Sequence, residues 1–98
     1  MATEVVQFEI GDRVCIRSDM AERFQRLIHL SWRGTRLDRL GPRALQGYEA
    51  DQALARQDPG VVVGLDGGFA GRLVISINGF RYPSPISTHW FEPVPQEQ

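Results

Sequence analysis

Cys15, His29 and His89 are the residues of this 98-residue sequence best suited to nucleophilic or metal chemistry. A thiol with an imidazole and an acid makes a hydrolytic centre, and imidazoles with a thiolate ligate zinc. The spacing supports neither, because no C-x-x-C or H-x-x-x-H repeat accompanies them. Cys15 alternates along an extended segment with Arg13 and Arg17, and two cations on its face would lower its pKa and raise its thiolate character. Asp66-Gly67-Gly68 supplies one acid of a calcium loop without the oxygen ligands that should follow, so it reads as a turn. The glycines from Gly64 to Gly71 lack the Lys and Ser/Thr of a phosphate-binding loop. The residues therefore argue against an enzyme and call for no metal or cofactor.

Arginine is the second chemistry-bearing type. All eleven basic residues are arginine, and the formal net charge is only −1. Eight of them fall between Arg13 and Arg43 against Asp19, Glu22 and Asp38, so the positive charge is local. A planar guanidinium recognises carboxylate or phosphate through paired hydrogen bonds. The same bias, with abundant Ala, Gly, Pro and Val, also follows from a GC-rich genome.

These side chains need elements to hold them. The Asn78-Gly79 pair predicts a two-residue hairpin turn with positive φ at both positions. That turn sets Ile77 opposite Phe80, Ser76 opposite Arg81 and Ile75 opposite Tyr82, so pattern and turn agree on the register. Asp66-Gly67-Gly68 predicts a second turn between Val61 to Leu65 and a strand starting near Arg72, with a bulge or bend at each of Gly64 and Gly71. Phe8 to Ser18 reads as the first strand, with Val14 and Ile16 facing inward. From Ser18 to Trp32 the period changes to that of a helix, with Met20, Phe24, Leu27 and Ile28 on the buried face. Asp19 is its expected cap and Gly34 its expected left-handed stop. A second helix is predicted from Pro42 to Gln57, weakened by Gly47. Ser87 to Trp90 predicts a 3₁₀ turn leading to a last strand, Phe91 to Val94.

One domain spanning residues 1–98 is expected, with a core at 8–18 and 59–95 and a helical insertion at 19–58. A lone cysteine fits a reducing compartment. No apolar run reaches the roughly 18 residues of a membrane span, and the polar N-terminus lacks a signal-peptide core, so cytoplasmic residence without membrane contact is expected.

GDRVCIRS, then PGVVVGL, then RLVISINGFRY, then HWFEPV resembles, in order and turn chemistry, the small SH3-like modules of the KOW, Tudor and related bacterial families. The likeness covers about sixty residues in two blocks and excludes the insertion. It implies a mainly β, five-stranded SH3-like barrel with helices in the long loop between the first and second core strands. The acidic loop and paired tryptophans of peptide-binding SH3 domains are absent. Phe69, Tyr82 and Trp90 are the rings available for a Tudor-like cage, and each is more simply core.

The function expected first is a protein-interaction module, an adaptor or accessory subunit of bacterial or phage type. Its insertion and barrel rim would meet a partner protein through Arg26, His29, Trp32, Arg33, Arg36 and Arg39. The alternative is a KOW- or Tudor-like nucleic-acid binder with Arg23, Arg26, Arg33, Arg36, Arg39 and Arg43 on phosphates.

Overall fold

Alternation of β-branched residues and glycine-marked turns dictates six short strands. The computed structural model, which describes residues 8–66 and 71–95, shows them as β1 (Arg13–Ile16), β2 (Gly60–Leu65), β3 (Arg72–Ile77), β4 (Phe80–Arg81), β5 (Ile86–Ser87) and β6 (Phe91–Pro93). Two helices, α1 (Ala21–Trp32) and α2 (Pro42–Ala55), follow β1 and precede the other five strands. The pairing is antiparallel throughout and runs β4-β3-β2-β1-β6, with β5 beside β4 on the outer edge of β3.

The expected closed five-stranded barrel does not form. β6 ends the sheet on one side and β4 with β5 ends it on the other, and no ladder among the described residues joins the two ends. The reason is local. β4 and β5 have two residues each, Pro83 and Pro85 lie between them, and Pro93 ends β6. Proline donates no ladder hydrogen bond, so these strands finish as edges.

The Asn78-Gly79 hairpin has the predicted register: Ser76 pairs with Arg81, Ile77 with Phe80, and the Tyr82 amide donates to the Ile75 carbonyl at 3.0 Å. Asn78 and Gly79 have φ of 52° and 80°. The bulge expected at Gly64 falls in the β2–β3 ladder between Val62 and Gly64. Gly67, Gly68 and Phe69 lie outside the described residues. The 3₁₀ turn Thr88–Trp90 leads into β6 as expected.

Instead of an insertion on a barrel, the helices form a second layer over the inner face of the open sheet. Val14, Ile16, Val62, Leu73, Ile75, Ile77 and Phe91 come from the strands, and α2 adds Ala50, Ala53, Leu54 and Ala55. Small residues let the helix backbone approach the sheet closely. α1 contributes one buried side chain, Phe24, whose ring meets that of Trp90 edge to face at 5.4 Å.

The ends of the helices are held locally. α1 has no side-chain cap; Asp19 instead accepts two hydrogen bonds from Arg17, at 2.7 and 3.0 Å. Gly34 follows α1 with a φ of 80°. Pro42 stands at the start of α2 as expected, where its missing amide costs nothing. At the other end Gln57 takes φ 65°, and the amides of Gln57 and Asp58 return to Leu54 and Ala53. The Gln57 side-chain amide also donates to the Ile16 carbonyl at 2.8 Å, fastening α2 to β1.

Gly47 lies on the sheet-facing side of α2, where a Cβ would come 3.5 Å from the Phe80 ring, an ordinary contact. Gly47→Ala is expected to raise stability by about 0.5–1 kcal/mol, because alanine favours the helix and restricts the unfolded chain. Urea denaturation checks the sign.

Candidate partner-binding surface

Polar contacts along their length set α1 and α2 antiparallel. Gln25 donates to the Ala55 carbonyl at 3.1 Å near one end, and near the other Trp32 meets Tyr48 ring to ring at 5.2 Å. The Trp32 indole N–H donates to Asp51 Oδ2 at 2.8 Å, and the Tyr82 hydroxyl donates to Asp51 Oδ1 at 2.6 Å. One carboxylate thus joins both helices to the chain that leaves β4. Burial, then the hydrogen bond and charge of Asp51, push the Tyr82 phenol well above its ordinary pKa.

Beyond this joint the hairpin projects into solvent. Residues 42–46 of α2 are exposed, as is nearly all of the connection, including its 3₁₀ turn Leu37–Arg39. Arg23, Arg26, His29, Arg33, Arg36, Arg39 and Arg43 are all exposed. Arg36 pairs with Asp38 at 3.2 Å and Arg26 loosely with Glu22 at 3.8 Å. Among the described residues no carboxylate lies within ion-pair distance of Arg23, Arg33, Arg39 or Arg43.

Trp32 differs from the other expected contact residues. It is half-buried, and its hydrogen bond and ring contact hold α1 to α2 at the base of the projecting part. Tyr82 and Trp90 pack against the core, as the simpler reading of those rings required. Cys15 is buried, and its thiol is pushed up by burial and by the nearby Glu92 carboxylate, which pairs with it across β1 and β6. The lowering that two flanking arginines could give is therefore outweighed.

The sequence reading missed the exposed leucines. Leu27, assigned to the buried stripe, is 47% exposed, and Leu30 is 54% exposed; Leu37 and Leu45 are also open to solvent. A signal was present in the helical period. At 100° per residue Leu30 stands about 200° from Ile28, which packs on the core, so it belongs to the opposite face.

Among the described residues no cluster of His, Cys, Asp or Glu could hold a metal ion, and no helix is long and apolar enough to cross a membrane. Comparison with protein-family models, with curated proteins and with solved structures finds no match to this chain.

Proposed function

We propose that this chain is a non-enzymatic protein-interaction module, an adaptor or accessory subunit that docks on a partner protein through the projecting end of its helical hairpin. The observation that carries the reading is the mixture found there: four exposed leucines interleaved with arginines, several lacking an ionic partner among the described residues. Apolar side chains and arginines held on a fixed scaffold are the usual makings of a docking patch. Arg26, His29, Arg33, Arg36 and Arg39 are the contacts, with Trp32 fixing the hairpin beneath them.

Affinity capture from native lysate tests this. A stoichiometric partner, retained by the wild-type chain and lost from an Arg33→Glu/Arg39→Glu chain, is the expected result. Absence of any stoichiometric protein overturns it.

A nucleic-acid reading has one observation in its favour, the exposure of Arg23, Arg26, Arg33, Arg36, Arg39 and Arg43 together. Each phosphate contact would steepen the salt dependence of binding by about one unit. It ranks second because the patch offers leucines where single strands require stacking rings, and Trp32 and Tyr48 are turned on each other.

A further inference from the structure

α1 has two faces of different use. Ala21, Phe24 and Ile28 turn to the core and Trp32 to α2. Arg23, Arg26, Leu27 and Leu30 stand three or four residues apart on the other side, and Arg33 follows at the cap. This outer face has Leu27 and Leu30 as an apolar ridge about half open to water, with Arg23 in line one turn before it and Arg26 and Arg33 along one side. Glu22, 3.8 Å from Arg26, is the one acid of the helix.

We infer that the outer face of α1 receives an acidic amphipathic helix of the partner, with apolar side chains against Leu27 and Leu30 and carboxylates on Arg23, Arg26 and Arg33. The inference rests on the docking reading above and specifies the chemistry of what docks. Charge complementarity selects the occupant. Covering the two leucines brings three guanidinium groups out of water, and carboxylates compensate that loss with charge-assisted, often bidentate hydrogen bonds. A helix suits the geometry because it offers side chains at the same three- and four-residue intervals as the ridge.

Other occupants fit less well. A nucleic-acid backbone would bury both leucines against phosphate. A lipid surface asks for bulky aromatic residues and a wider apolar strip than two leucines provide. A second copy of this chain lacks the matching surface, since Asp19, Asp38 and Asp58 are already paired with Arg17, Arg36 and Arg56. In the described helices the one exposed leucine with a carboxylate a turn away, other than on α1 itself, is Leu45 with Glu49 on α2. That is too little to match a ridge of two leucines and three arginines, because Asp51 is taken by Trp32 and Tyr82.

The test uses the full chain and fluorescein-labelled peptides of about five helical turns. One has leucines along a single face and glutamates elsewhere, a second has the same composition scrambled, and a third has lysine for glutamate. Anisotropy is expected to show the acidic amphipathic peptide binding at least about tenfold more tightly than either control, with Leu30→Glu and Arg23→Glu each weakening it by about tenfold. Both positions are exposed, so circular dichroism of the variants should be unchanged. Equal binding of the scrambled peptide, no binding of any peptide, or tighter binding to anionic phospholipid vesicles or polyuridine overturns the inference. Capture from lysate separates the two levels. A partner held equally by wild type and a Leu27→Glu/Leu30→Glu chain overturns this inference and leaves the docking reading intact, whereas no partner for wild type overturns both.

Discussion

Asp51→Ala is expected to lower the unfolding free energy by about 2–4 kcal/mol, the cost of leaving two partly buried donors without an acceptor. The Tyr82 hydroxyl and the Trp32 indole N–H both donate to this carboxylate, at 2.6 and 2.8 Å. Asn at the same position keeps one acceptor oxygen but turns an amide toward the second donor, so Asp51→Asn should fall between wild type and Ala. Urea denaturation followed by circular dichroism measures the series, and a change below about 0.5 kcal/mol for Ala would show that the joint contributes little.

The joint also gives stability a dependence on alkaline pH. Burial first, and Asp51 second, raise the folded-state pKa of Tyr82 above the ordinary value of 10.0. The folded chain therefore keeps a proton that the unfolded chain releases. This contribution is complete below about pH 10 and declines as pH rises further. Tyr82→Phe should remove that part of the decline, visible as a smaller difference in Tm between pH 9 and pH 11 than in wild type.

The second large effect is Gly60→Val, expected to cost about 2–3 kcal/mol through overpacking. Gly60 sits where β2 is flanked by β1 on one side and β3 on the other. A Cβ there would stand 2.9 Å from Ile75 Cγ2 and 3.3 Å from the Ser76 carbonyl oxygen. The Ile75 side chain is fully buried and the carbonyl belongs to the neighbouring strand, so neither has room to withdraw. Gly60→Ala should have the same sign and a smaller size. Together with the opposite sign expected for Gly47→Ala, the pair tests the packing of both faces of the core. A stabilised Gly60→Val chain would contradict the position of β2.

The hairpin was legible because Asn78-Gly79 and the alternation around it specify one register twice, by turn chemistry and by side-chain face. α1 was legible from its period, although its cap was not. Asp19 has a closer competitor in Arg17, and sequence spacing ranks neither. The weight carried by α2 was hidden because its buried face is Gly47, Ala50, Ala53 and Leu54, small residues that a search for bulky apolar side chains passes over. Barrel closure depends on whether the two outermost strands meet, and two-residue strands beside prolines give no alternation from which to read it. At the candidate surface the arginines were visible as a cluster. Leu27 was misplaced because neighbouring apolar residues were assigned to one face. The structural role of Trp32 was not legible because its partner Asp51 is distant in sequence.

The chain departs from β1 and returns into β2, and these two strands are neighbours. Both feet of the helical hairpin therefore stand side by side, fastened by Gln57 on the Ile16 carbonyl. Residues 33–41 close a loop whose ends are fixed by the layers beneath, so their identity can drift or be replaced wholesale without disturbing strand order. Sequence at the tip is thereby separable from foldability, and a foreign segment can be grafted there onto an unchanged scaffold.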